Sequence, residues 1–213
     1  MVDIYTDKWE WLFEIGNLGT ITKPLTSSIL SNPTHKFTQR ILYLYSMESF
    51  IYEDLNRGSR NKDTSKIKYY GAFAAALSFI IASANKNNRT RQNPTLKVQT
   101  LYRGIKLCKE ELEIYRSSQK IHLLGYTSTS RNMQRAAMFA FRDVKSYQIP
   151  VVLEIEFKGL GGIFEMGEGF SAYPDEEEVL LQDGLQYSIE AVTEKFTHDT
   201  KEQFFIVKLK YPA

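Results

Sequence analysis

The 213-residue chain has a single cysteine, Cys108, so no internal disulfide framework can staple it, and a reducing compartment suits it. Cys108 reads as an ordinary small residue. Histidine is nearly as scarce: His35, His122 and His198 are scattered, with no cluster of acids or cysteines at ligand spacing, so no metal site is expected. Long apolar runs are also missing. The longest, Gly71 to Ala84, falls short of the roughly 20 helical residues that cross a bilayer. The start, "MVDIYTDKWEWLFEIG", places two acids before its first base and has no extended apolar centre, so it does not read as a signal peptide. There is no internal repeat, low-complexity tract or flexible linker. A chain of this length can bury about 70% of its unfolded surface in one core without a metal or disulfide.

Acids are absent from one long span. Between Asp63 and Glu110 the chain carries nine bases and no carboxylate, with Lys86, Arg89, Arg91 and Lys97 in a loop-like middle. Residues 1–100 hold a formal +5 and residues 101–213 a formal −3, which the whole-chain value of +2 conceals. The basic span suits an anionic ligand or an acidic partner, or else a solvated face. A near-neutral total, with no recognition module and no basic stripe interleaved with aromatics, argues against nucleic acid.

Periodicity divides the sequence in two. Ile41, Leu44, Tyr45, Ile51, Tyr52 and Leu55 recur at helical spacing, as do Tyr70, Phe73, Ala74, Leu77, Ile80, Ile81 and Ala84, and Asp7 with Glu10 forms a capping-box pattern before Trp11. Residues 1–96 are therefore expected to be mainly helical. Beyond them, Val151, Leu153, Ile155 and Phe157 alternate with Val152, Glu154 and Glu156, and the period of two returns in "LQYSIEAV" and "FFIVKLKY". Residues 97–213 are expected to be mainly strand. One helix, "RNMQRAAMFAFRD", interrupts them, with Met133, Ala136, Ala137 and Ala140 on one face. "GLGGIFEMGEG" reads as a mobile glycine-rich loop, because no strand-then-helix context makes it a phosphate cradle. Helices and strands then share one α+β core in a single domain, 1–213.

Candidate chemistry gathers in three short stretches. In "SAYPDEEEVLLQDG" four acids, Asp175 to Glu178, run directly into Val179, Leu180 and Leu181. If the strand starts at Glu176, Glu176 and Glu178 share a face and Glu177 takes the other. Two carboxylates on a rigid strand suit chemistry at a sugar carbon, one stabilising an oxocarbenium ion and the other handling a proton; a solvated acidic turn is the alternative. In "TLYRG", Arg103 is expected to end a strand and Gly104 to let the backbone approach a ligand. In "GYTSTSRN", Ser128, Thr129 and Ser130 close another strand before the interrupting helix.

Taken together and in this order, Arg103, Ser128-Thr129-Ser130 and Glu176-x-Glu178 resemble the signature of the mono-ADP-ribosyltransferases, over residues 97 to 211 or so. Tyr173 resembles the aromatic on the family's acceptor-recognition loop. Phe139 and Arg142 resemble the aromatic and arginine that toxin-like members bring to NAD. The resemblance implies a helical N-terminal part packed on a mainly antiparallel two-sheet β core. It implies NAD as co-substrate, with Arg103, Gly104, Ser128, Thr129, Ser130, Phe139, Arg142 and Glu178 binding it.

The same resemblance distributes the catalytic work. Glu178 would stabilise positive charge at the ribose C1 through the 2′-hydroxyl, Ser128 would position Glu178, and Arg103 would grip NAD. Glu176 and Tyr173 would bind the acceptor. Glu in that place goes with arginine-directed members, which implies a target protein with an accessible arginine. Three readings stay open: an arginine-specific transferase, an NAD glycohydrolase of the same fold, and a catalytically quiet binding module. The setting implied is cytoplasmic, or that of an effector delivered into a host cell.

Overall fold

Among the described residues, the apolar spacing of the first half closes into three α-helices that share one core. A computed structural model of the chain describes residues 35–47, 49–91, 98–158, 162–167 and 169–212. Helix α1 spans His35–Ser46, α2 Phe50–Arg60 and α3 Ile67–Arg91, with a 3-10 turn at Thr64–Lys66 that Asp63 caps by accepting the Ser65 N–H at 3.0 Å. Asp54 of α2, 5% exposed, takes a hydrogen bond from Tyr70 of α3 at 2.8 Å and an ion pair from Arg57. A buried carboxylate needs such partners, and the bond from Tyr70 ties α2 to α3. The inferred cap at Asp7 and Glu10 lies outside the described residues. Helix α3 extends through residues 86, 89 and 91, which sequence pattern puts in a loop, while Lys97 lies outside the described residues. No described helix is long and apolar enough to cross a membrane.

The second half supplies eight strands: β1 Val98–Leu107, β2 Lys120–Leu123, β3 Thr127–Ser130, β4 Ile149–Lys158, β5 Ile163–Glu165, β6 Glu178–Leu181, β7 Leu185–Phe196 and β8 Gln203–Lys210. Helix α4 (Lys109–Ser117) follows β1, and α5 (Met133–Phe141) follows β3. The strands run in the order β2-β7-β8-β4-β1-β3-β6-β5, all antiparallel except the β4–β8 pair. The whole length of β1 pairs with β4, whereas β1 meets β3 through Tyr102↔Ser130 alone. The expected two-sheet core is thus a five-stranded and a three-stranded part joined at one pair.

Two apolar layers flank the sheet. Leu153, Ile155 and Phe157 of β4 join Leu181, Tyr187, Val207 and Leu209 in one cluster, covered by Leu112 and Tyr115 of α4. In the other, Ile41, Leu42, Tyr45, Leu77 and Ile81 from α1 and α3 pack on Leu180, Tyr126 and Met166, which seats the helical part on β6. Alternation explains the sharing: Val179 and Leu181 of β6 belong to the first cluster and Leu180 to the second.

Three local expectations need correction. Part of the presumed glycine-rich loop is the edge strand β5, because Ile163 is buried against β6. Arg103 and Gly104 lie in the middle of β1 rather than at its end. A Cβ on Gly104 would sit 1.9 Å from the Ala136 carbonyl oxygen and 2.5 Å from the Ala140 nitrogen of α5. The glycine therefore answers a close helix-on-strand approach, built with the small buried Ala136 and Ala140, before it answers any ligand. Gly104→Ala should accordingly destabilise the fold by about 2 kcal/mol or more through backbone overpacking, read as a lower urea midpoint.

Candidate active site

The site begins with a hydroxyl and a carboxylate brought face to face by strand register. Antiparallel pairing of β3 with β6 sets Ser128 opposite Leu180 and Ser130 opposite Glu178. From there Ser128 Oγ donates to Glu178 Oε1 at 2.5 Å, and Ser171 Oγ reaches Glu178 Oε2 at 3.5 Å. The other hydroxyls of the triplet serve the backbone. Thr129 Oγ1 donates to the Val179 carbonyl at 2.6 Å, and Ser130 Oγ donates to the Glu176 carbonyl at 2.7 Å while accepting the Asn132 N–H at 2.9 Å. Ser-Thr-Ser therefore holds both ends of the acidic stretch, and only Ser128 touches a carboxylate.

Arg103 closes the arrangement from the neighbouring strand, donating from Nη1 to the Ser128 carbonyl oxygen at 2.8 Å. That bond crosses the seam between β1 and β3 where a single pair joins them. Glu178 is 7% exposed, and burial pushes its carboxyl above the usual carboxylate range. The Ser128 hydrogen bond opposes that rise, nearby Glu176 adds to it, and Ser171 and Arg103 pull it back.

Glu176 does not reach the cleft by strand alternation. It ends a 3-10 turn, Pro174–Glu176, and Glu177 follows in the left-handed region (φ 48°, ψ 43°) before β6 starts at Glu178. The kink, rather than a pleat, turns Glu176 and Glu178 into one cavity. Glu177 is exposed and does not line it.

That cavity is a cleft of about 380 Å³. Arg103, Gly104, Ser128, Thr129, Ser130, Phe139, Arg142, Tyr173, Glu176 and Glu178 all line it, so every residue singled out from sequence meets there. Phe139 and Arg142 come from α5 and its C-cap, with the guanidinium 5.9 Å from the ring centroid. Tyr173 stands 45% exposed. Among the described residues no His, Cys, Asp and Glu group is arranged to hold a metal.

The helical half also contributes to the wall. Tyr45, Ser46, Tyr52 and Glu53 line the cleft, as do Tyr102 and Lys106 of β1. Tyr45 is fully buried: its hydroxyl donates to the Tyr126 carbonyl at 3.0 Å and accepts from Asn56 at 2.9 Å. Helical periodicity marks Tyr45 and Tyr52 only as core. Ser171, the second hydroxyl on Glu178, opens the acidic stretch itself, where its proximity was the one available signal.

The sequence model of the ADP-ribosyltransferase exoenzyme family matches residues 80–211. The chain belongs to that family. Solved structures share the fold. Vis toxin, an ADP-ribosyltransferase from Vibrio splendidus, is 17% identical, with a TM-score of 0.57 covering 100% of this chain and 87% of Vis. Plx2a, an ADP-ribosyltransferase toxin from Paenibacillus larvae, is 17% identical with a TM-score of 0.61, covering 96% of each chain. C3stau2 from S. aureus, solved with NAD, is 17% identical with a TM-score of 0.54, covering 92% of this chain and 96% of its own. No curated protein sequence matches the chain. The family match begins inside α3, so α1 and α2, which furnish one cleft wall, precede it.

The raised carboxyl at Glu178 has a consequence for stability. Its folded value lies above the unfolded value of about 4.3, so the folded state holds the proton to higher pH. The associated stability is complete below the unfolded value and is lost as pH rises through the folded one. Glu178→Gln keeps the size and removes the charge, so near neutrality it should melt at least as high as the unmodified protein. Its advantage should shrink as pH falls through the raised folded value and be gone below about 4. Thermal melts of the two proteins across this range check both statements.

Proposed function

We propose that the protein is an NAD-dependent mono-ADP-ribosyltransferase that moves ADP-ribose to an arginine side chain of a target protein and releases nicotinamide. The observation that carries this reading is the buried Glu178 carboxylate, held by Ser128 in a cleft that Glu176 and Arg103 also line. Family membership supports the reaction. The acceptor is supported by Glu176, by exposed Tyr173, and by Vis, a fold neighbour solved in complex with agmatine, a guanidinium compound. Two of the neighbours reported above are called toxins, which supports a toxin or effector role.

Each group then has one task. The N-glycosidic bond of NAD breaks with its electron pair leaving on nicotinamide, which becomes neutral, and positive charge develops at the ribose C1. Glu178, ionised and desolvated, stabilises that charge; a preformed anion in a water-poor site costs little reorganisation as the bond breaks. Ser128 keeps Glu178 in place, while Arg103 and Arg142 suit the pyrophosphate. A guanidinium is a poor nucleophile. Glu176 orients the acceptor arginine and takes the proton its nitrogen loses on bonding to C1, and Tyr173 stacks on the guanidinium plane.

Because the two carboxylates have different tasks, their amide variants should differ in kind. Glu178→Gln should lower both nicotinamide release and label transfer by a factor on the order of 100 to 1000. Glu176→Gln should strip arginine transfer far more than NAD hydrolysis, since water needs no guanidinium oriented. Glu177→Gln is the control and should leave both near normal. Equal loss of both activities in Glu176→Gln would favour a glycohydrolase that uses the acids as one unit.

The cofactor-facing arginine is tested separately. Arg103→Lys keeps the charge but loses the planar fork that spans the Ser128 carbonyl and the cleft. Calorimetry should register weaker NAD binding. Unchanged affinity and turnover would reduce Arg103 to a structural clasp.

A further inference from the structure

The turn that carries Tyr173 and Glu176 is tied down from two sides. Its inner tie is Ser171, whose Oγ accepts the Tyr173 N–H at 3.0 Å and reaches Glu178. Its outer tie comes from the helical half. Ser46, the last residue of α1 and only 8% exposed, accepts the Ala172 N–H on Oγ at 2.7 Å and donates to the Tyr43 carbonyl at 2.9 Å. The donor and one of the two acceptor lone pairs of this hydroxyl are thus used inside the protein, although it stands in the cleft wall. Phe170, just before the turn, packs into the α1–α3 cluster and meets Phe164 edge-on at 5.6 Å.

We infer that Ser46 is a positioning residue for the acceptor, and that α1 sets where Tyr173 and Glu176 stand relative to Glu178. Glu178 is held by Ser128 of β3, and Ser128 by Arg103 of β1, neither of them bonded to Ser46. Losing Ser46 Oγ leaves the Ala172 amide without that acceptor and widens the conformers open to the turn; Glu178 keeps its shorter bond, from Ser128, and only the long 3.5 Å contact from Ser171 lies on the turn. The helical half therefore governs acceptor use more than NAD cleavage. This inference rests on the acceptor role proposed for Tyr173 and Glu176.

The experiment compares the unmodified protein with Ser46→Ala, Ser46→Thr and Glu176→Gln, measuring KM for NAD and for agmatine from nicotinamide release and label transfer. Ser46→Ala should raise the agmatine KM about 3- to 10-fold and move the NAD KM by less than about twofold. Ser46→Thr, which keeps the accepting hydroxyl, should restore most of the loss. Thermal melts accompany each variant, so that a general loss of fold is recognised. An unchanged agmatine KM, parallel rises in both constants, or a threonine variant as impaired as alanine would overturn the role of Ser46. Those results leave the acceptor reading standing if Glu176→Gln still loses transfer. If Glu176→Gln transfers normally, the acceptor reading itself falls, and the role of Ser46 with it.

Discussion

The hydrogen bond from Ser128 to Glu178 is the constraint around which the site is arranged. Burial pushes the carboxyl of Glu178 up, and the hydroxyl opposes that rise while fixing one oxygen in space. Ser128 can serve only because its backbone is itself held, by β6 along one edge and by the Arg103 guanidinium across the seam. Arginine, serine and glutamate form a relay in which each orients the next. Their strands lie side by side in the sheet although the residues are distant in the chain.

The helices complete the site rather than merely shielding it. Tyr45 anchors α1 to the carbonyl of Tyr126, one residue before β3, and Tyr126 in turn donates to the Ala74 carbonyl of α3 at 2.6 Å. Burial pushes the Tyr126 hydroxyl up to about 12, so it stays a protonated donor throughout the physiological range. Strand β3 thereby takes its position from both the sheet and the helical part, and the wall with Tyr52 and Glu53 is held against the relay.

What was legible in the sequence follows from the range of the forces involved. Period-two alternation in β4 and helical spacing in α3 report local burial, and both elements stand where the pattern puts them. The three motifs were readable because each lies within a few residues. The packing role of Gly104 is not legible locally, because its neighbour is the backbone of α5, more than thirty residues away, and no local pattern encodes that clash. Glu176 was assigned to the strand because alternation assumes an extended chain; the left-handed residue at Glu177 breaks that assumption yet returns both acids to one cavity. The contribution of Tyr45 and Ser46 was hidden for the same reason as the Gly104 clash, since a helix declares which face it buries but not what it buries it against.

The seam between β1 and β3 gives the molecule an uneven mechanical character. A sheet resists shear in proportion to the hydrogen bonds that cross each strand boundary, and β1 is stitched to β4 along its whole length but to β3 at Tyr102↔Ser130. Compliance is therefore concentrated on the line that runs under the cleft, between Arg103 and Ser128. A ligand that engages both banks would draw tight the most yielding boundary in the sheet, and the two rigid parts would move as plates on either side of it.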